Sequence, residues 1–536
     1  MTAGLCGLLL GILGAAPVAD AGLPRVRDDR LVLTRFATEP EIVTPVGLTV
    51  DPLGRVLVVE SHTHFRPKGY TGPAADRLRL FEDRDGDGVA EAVSTFWEGS
   101  KFTMGAAFHP INGTLYVATR YRVFRLDDLD HNGRADGPPV AVATLDTDGN
   151  YPHNGLSGFA FDPSGRVYFG LGENLGASYS LVGTDGTRLS GGGEGGNVYR
   201  CDPDGQHLER VATGFWNPFA MAFDVYGRLF VVDNDPDSRP PCRLLQVVPG
   251  GDYGYRFRNG RKGLHPFTAW NGELPGTLPM AAGTGEAPSG VVVYESDGLP
   301  DDYRGRILST SWGDHRIEMS PPIALKGASF QANLAPVVTG GENFRPVGMA
   351  VAPDGSIYIS DWVDRSYDLH SKGRVWKLRG RDARPRSVAK TDDDALENPD
   401  RATRESAARR LAATSRTSLR AVLEKATDDR LRATADALAI EPVKADDASL
   451  RAVFQELARP ICVPWPCDAC LTGSWTPQRL AANDPSPEVR SEALRPDSQE
   501  WWRGRRVSRP GRYPRIRSSA RRRGWPSTSR RRCPGF

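Results

Sequence analysis

One histidine and a set of carboxylates fall at equivalent places in a repeated pattern. His153, in YPHNGLSGF, stands directly before an alternating apolar run. An imidazole titrates near neutral pH, so this residue type suits taking a proton from a hydroxyl. Similar segments aligned on their hairpin glycine bring Glu60, Thr119, Leu171, Asp233, Ser311 and Asp361 to one position, where the second strand of each hairpin ends. In an antiparallel hairpin the residue before the first strand and the residue after the second lie at the same end. His153 is therefore expected to share a face with Glu60, Glu173, Asp233 and Asp361. Clustered carboxylates beside a histidine suit a metal or a polar ligand, which makes Glu173 and Asp233 candidate ligands. A carboxylate there can equally cap the next turn through its side-chain oxygens.

Two acidic loops give a sharper metal signal. DRDGDGVAE sets Asp83, Asp85 and Asp87 at alternate positions before Gly88, with Glu91 following, and DLDHNGRAD repeats this with Asp128, Asp130, Asn132, Gly133 and Asp136. Oxygen ligands at positions one, three and five with glycine at six suit calcium, although the twelfth residues are Ser94 and Pro139 instead of a bidentate glutamate. In ESHTHF an extended chain would point Glu60, His62 and His64 to one side, a spacing open to a transition metal or to two solvent-facing histidines. The Gly-rich stretch around Gly191 to Gly196 has no strand-to-helix context for a phosphate loop. It reads as backbone approaching a ligand or packing tightly on the face.

The elements that must position these residues repeat along the chain. GLTVDPLGRVLVVE from Gly47 recurs as GAAFHPINGTLYVAT from Gly105, GFAFDPSGRVYFGLGE from Gly158, AMAFDVYGRLFVVDND from Ala220 and GMAVAPDGSIYISDW from Gly348, with a degenerate copy from Arg304. Each is an apolar strand, a turn ending in glycine and a second apolar strand, and the alternation predicts half-buried hairpins. Six copies spaced by about 55 to 60 residues allow four strands per unit, the arrangement of propeller blades, which leave only short sheet edges. An all-β six-bladed β-propeller is expected over residues 30–380. Beyond it, Ala, Arg and Leu at helical spacing and the stretch DPSPEVRSEALR predict a small α-helical, HEAT-like solenoid over 395–495.

A chain of 536 residues with 58 Gly, 42 Pro and 39% hydrophobic content is globular and loop-rich, and long enough for more than one unit. No apolar run reaches the roughly 20 residues of a membrane helix. The first 21 residues have an apolar centre and an Ala19-Asp20-Ala21 site, which reads as a signal peptide and places the chain in the periplasm or at the cell envelope. Seven cysteines are too few and scattered for a disulfide framework, and Cys201 and Cys242 read as one bridge or two independent thiols. The formal charge of +2 conceals an asymmetry, because residues 501–536 hold 13 of the 68 basic residues and no acidic ones, which leaves 55 basic against 66 acidic elsewhere. The tail from 496 reads either as a nucleic-acid arm or as frame-disturbed translation; its Arg, Pro, Gly, Ser and Trp bias favours the latter, and no nucleic-acid partner is expected.

The stretch from His153 to Glu173, with TGFWNPFAMAFDVYGRLFVVD and ENFRPVGMAVAPDGSIYISD, resembles the soluble quinoprotein glucose and sorbosone dehydrogenase superfamily. HTHFRPKGY, GGGEGGN, DNDPDSRPPCR and TSWGDHRIE are similar to bacterial exported proteins described as membrane-bound dehydrogenases, in which a propeller precedes HEAT-like repeats. The resemblance implies a dehydrogenase that oxidises a sugar or alcohol hydroxyl with pyrroloquinoline quinone (PQQ) and calcium. By it His153 matches the general base, and Asn217 and Arg345 match cofactor contacts. Trp216 stands where an arginine is expected and Trp312 near the place of a lysine, so Arg239, Arg258, Arg261 or Lys262 would have to replace the lost charge. PQQ carries three carboxylates, which require cations or a bridging metal. With no CxxCH motif present, the electron acceptor is expected to be another protein, such as a separate c-type cytochrome, or a segment lost to the frame disturbance, and the HEAT-like region suits a protein partner. The contrasting reading is a non-catalytic propeller that binds a carbohydrate or a protein on the same face, with Trp216, Trp270 and Trp312 as stacking platforms.

Overall fold

The computed structural model describes residues 23–414, apart from 226, 238, 260–267, 322–323, 327–328, 383–390 and 397. Among the described residues, besides a separate two-stranded sheet that pairs Ala324–Lys326 with Ser329–Gln331, six sheets follow one another along the chain, antiparallel but for one short parallel pair, Glu209–Phe215 with Gly251–Asp252. Their innermost strands are Pro45–Val50, Thr103–Phe108, Leu156–Phe161, Asn217–Phe223, Val291–Tyr294 and Pro346–Val351. Each innermost strand touches the next, and the sixth touches the first, which closes a six-bladed propeller around a central axis. Closure is made by the N-terminal strand Leu31–Thr38, which pairs with Arg374–Gly380 as the outer strand of blade six. A second short strand, Arg25–Val26, pairs with Ala335–Thr339 on blade five.

The second strand of each blade departs from the expected half-burial. Val56–Glu60, Leu115–Thr119, Val167–Leu171 and Ile357–Asp361 are buried at every residue. A blade has two neighbours, so both faces of its sheet are covered and both sets of alternating side chains are apolar. In Val56–Glu60, Val56 and Val58 join the core against blade six, while Leu57 and Val59 join the core against blade two. Six such cores lie between the blades, one at each junction. Crowding at the axis demands small residues: a Cβ on Gly348 would stand 3.0 Å from Gly47 Cα, and one on Gly158 would stand 2.5 Å from Phe219 O. Both contacts are with backbone that cannot give way.

After blade six the chain forms two helices, α1 (Asp392–Leu396) and α2 (Arg401–Thr414). Asp400 caps α2, its Oδ2 accepting from Thr403 N at 2.9 Å. The start of α2 is fastened to the lower ends of blades four and five, where Arg401 N donates to Glu295 O at 2.9 Å and Arg401 Nη1 donates to Phe223 O at 2.8 Å. The rest of the expected HEAT-like region, the signal peptide and the basic tail lie outside the described residues. No helix among the described residues is long and apolar enough to cross a membrane.

Candidate functional site

The upper ends of the second strands gather the carboxylates that the hairpin alignment singled out, and each carboxylate holds backbone. Asp233 accepts from Asn217 N at 2.7 Å and Trp216 N at 3.1 Å, and its other oxygen pairs with Arg243 at 2.5 Å. Asp361 accepts from Arg345 N at 2.8 Å and Trp376 Nε1 at 2.9 Å and pairs with Arg374 at 3.0 Å. Glu60 accepts from Val43 N and pairs with His62 Nε2 at 2.7 Å. Glu173 accepts from Gly176 N at 2.7 Å and Gly195 N at 3.1 Å, which pins the Gly-rich stretch to the end of its blade. Burial pushes the Glu173 carboxyl above its ordinary value. Turn-capping therefore accounts for the position these carboxylates share. Among the described residues, neither Glu173 nor Asp233 belongs to a cluster of metal-ligating side chains.

His153 precedes the innermost strand of blade three, at this same end. Its backbone carbonyl accepts from Asn217 Nδ2 at 3.0 Å, so Asn217 positions the histidine from blade four. His64 turns away from Glu60 and His62, and its Nε2 lies 3.2 Å from His153 Nδ1. Aromatic rings enclose the pair: Tyr367 at 4.5 Å from His153, Phe65 at 5.6 Å and Tyr151 at 6.2 Å between centroids. Tyr367 stacks on Trp312 at 5.1 Å and 11°, and the Arg345 guanidinium covers the Trp312 ring at 4.5 Å. Trp216 is buried with Tyr255 and Trp270, away from open solvent.

Burial, with the Arg120 cation adding to it and Asp237 opposing, lowers His153 to about 4. Burial, the neighbouring His153 and Arg120 lower His64 to about 3. Both imidazoles are neutral at pH 7 and so keep a lone pair each. The unfolded chain, with histidines near 6.5, binds more protons than the folded one below that pH. Stability is thus complete above pH 6.5 and falls as the pH drops toward 4, by about 1.4 kcal/mol per imidazole per pH unit at most. Urea unfolding at pH 7 and pH 5 should show this loss, and a His64→Gln, His153→Gln double variant should show a smaller one.

A family model described as "Domain of unknown function (DUF7133)" matches residues 26–366. The chain belongs to that family. No curated protein sequence matches it. This DUF7133 propeller is similar to the PQQ-bound aldose sugar dehydrogenase of Streptomyces coelicolor, at 18% identity over 67% of this chain and 99% of that one, with a TM-score of 0.46. The PQQ domain of pyranose dehydrogenase from Coprinopsis cinerea gives 14% identity over 67% and 97%, with a TM-score of 0.44. The soluble aldose sugar dehydrogenase of Escherichia coli gives 16% over 66% and 100%, with a TM-score of 0.42. At these values none of them bears on what this chain does.

The residues around His153 fit a flat, anionic group. Two guanidinium groups lie here, Arg120 beside His153 and Arg345 over Trp312, and among the described residues neither has a carboxylate at salt-bridge distance. Arg120 Nη2 donates to Pro152 O at 3.0 Å, while its Nε is buried with no hydrogen-bond partner among the described residues. Arg345 Nη1 donates to Trp312 O at 3.1 Å. Asn217 Oδ1 is a second buried polar atom with no partner among the described residues. Beside them Asp235, Cys242 and Glu286 bring ligand atoms within 4.8 Å of one another, and the two carboxylates can hold a divalent cation that faces an anion. Cys201 and Cys242 are buried free thiols, with no bridge between them.

Arg120 was not visible as a site residue in the sequence, and neither were the roles of His64 and Tyr367. Of the cations expected to substitute at Trp216 and Trp312, Arg239 N donates to Asp235 Oδ2 and its guanidinium lies 3.5 Å from Glu273; Arg261 and Lys262 lie outside the described residues.

Proposed function

We propose that this propeller is a dehydrogenase that oxidises a hydroxyl of a sugar or alcohol, with His153 as general base. The observation that carries this reading is the contact of the His153 and His64 rings at 3.2 Å, with the Arg120 guanidinium beside them and Arg345 behind the Trp312 and Tyr367 rings. PQQ, when bound, supplies the acceptor for the hydride. Arg120 and Arg345 would hold its carboxylates, and Trp312 and Tyr367 offer flat faces beside them. The His153 lone pair takes the hydroxyl proton, and the surrounding rings exclude bulk water from that transfer. Electrons would pass to a separate acceptor such as a c-type cytochrome, in the periplasm or at the cell envelope. Sugar-dependent dye reduction by the full chain loaded with PQQ and calcium tests the reading; no reduction with any aldose or alditol would refute it.

A second reading, a non-catalytic carbohydrate-binding propeller, is favoured by the stack of Trp312 with Tyr367, which is 47% exposed. It predicts sugar binding without PQQ.

The two acidic loops are proposed as structural calcium sites on the lower face. Asp83, Asp85, Asp87 and Glu91 bring their oxygens within 4.8 Å of one another, as do Asp128, Asp130 and Asp136, with Asn132 Nδ2 donating to Asp130 at 2.8 Å. Asp128 Oδ1 is buried with no hydrogen-bond partner among the described residues, and Asp83 leans on Lys377 Nζ at 3.4 Å. Calcium should raise the melting temperature of the chain. That rise should shrink in Asp85→Asn, Asp130→Asn protein, as differential scanning calorimetry with and without chelator would show.

A further inference from the structure

The contact between His64 and His153 joins two loops 89 residues apart in sequence, and its protonation chemistry is constrained. Two neutral imidazoles facing each other through nitrogen share one proton in that contact. If His64 Nε2 carried it, His153 would accept at Nδ1, hold its own proton on Nε2 and have no lone pair left for a substrate. If His153 Nδ1 carries it, His64 Nε2 accepts and His153 Nε2 is a free base. Because Nδ1 is taken by His64, Nε2 is the nitrogen of His153 left for a ligand, and among the described residues it has no hydrogen-bond partner.

We infer that His64 is the positioning residue that holds His153 in the Nδ1–H tautomer, so that the His153 Nε2 lone pair faces the ligand. This rests on the proposal that His153 is a base. Proton balance follows directly. The substrate hydroxyl proton moves to His153 Nε2, the Nδ1–H remains donated to His64 Nε2, and the positive charge of the imidazolium makes that bond charge-assisted and stronger. His64 therefore supports the charged state as well as the resting tautomer, the part an orienting acceptor plays for any histidine base. The other groups that face the pair are Arg120, Asp237, Tyr151, Phe65 and Tyr367. Arg120 disfavours the imidazolium and Asp237 favours it, and His64 Nε2 stands 3.2 Å from the ring's Nδ1.

The test is nitrogen NMR of the full chain labelled in histidine, recorded at pH 7 without cofactor, so that it does not depend on activity. The account expects His153 to show a protonated Nδ1 and an unprotonated Nε2. His64→Gln, whose amide oxygen can accept from Nδ1–H, should keep that pattern, and His64→Phe, which has no acceptor, should move the proton to Nε2. In the loaded protein His64→Phe should lower kcat by about 10²-fold or more with little change in KM, while His64→Gln should recover most of the loss. A resting His153 with its proton on Nε2, or a tautomer unchanged in His64→Phe, overturns the inference. Failure of dye reduction alongside the expected NMR pattern would overturn the dehydrogenase reading and leave the role of His64 standing.

Discussion

Replacement of His153 by alanine should lower sugar-dependent turnover by about 10² to 10⁴-fold, the range that a positioned general base contributes. The side chain makes one hydrogen bond, to His64 in the loop that follows the second strand of blade one, and its other contacts are the enclosing rings. The backbone carbonyl that Asn217 holds is retained in the variant. Melting temperature and PQQ affinity should accordingly change little, and the loss should fall on kcat. His153→Gln should be nearly as slow, since an amide keeps a hydrogen-bonding shape without a titratable lone pair. Stopped-flow reduction of the loaded protein would separate the two effects. A His153→Ala protein that turns over at the unmodified rate would remove His153 from the chemistry.

Asp233→Ala should cost about 3 to 5 kcal/mol of stability, because it leaves the Arg243 guanidinium buried without its counter-ion. Arg243 and Asp233 are both 0% exposed, and Arg243 also donates to Tyr253 O at 2.8 Å and Trp270 O at 2.7 Å. It cannot swing to solvent without breaking those bonds. The same change orphans the backbone amides of Trp216 and Asn217, the residues that precede and begin the inner strand of blade four. Asp233→Asn should cost less, since the amide oxygen can still accept from those two amides. Chemical denaturation reads this directly. Were Asp233 a metal ligand instead, the loss would depend on calcium, and the structure gives no reason to expect that dependence.

How much of this was legible in the sequence depends on the range of the interaction. Hairpins from Gly47, Gly105, Gly158 and Gly348 were readable because strand alternation and turn glycines are local, and they led to six blades and to the face that carries His153. Full burial of Val56–Glu60 was not, since it requires knowing that a blade is covered on both sides. Asp233 shows the limit of position alone. Its placement at the upper end of a strand was readable, but the choice between ligand and cap was settled by Arg243, which an aligned hairpin does not reveal. His64 illustrates the same point. Periodicity put it beside Glu60 and His62, whereas the structure pairs those two and turns His64 toward His153. Arg120 and Tyr367 come to His153 from blades two and six, and no local signal marks either. The fastening of α2 to the lower face depends on Arg401 and the carbonyls of Glu295 and Phe223, groups 106 and 178 residues away from it.

The measurement that bears most directly on the central claim is calorimetric titration of PQQ, with calcium present, into the full chain, set beside the His153→Ala variant and an Arg120→Ala, Arg345→Ala double variant. The account predicts stoichiometric binding to the first two and binding weakened by at least about 10-fold in the third, where two charge-assisted contacts are gone. No heat in any of the three at high micromolar quinone, with sugars still bound by the unmodified chain, would contradict it and make this face a carbohydrate-binding surface.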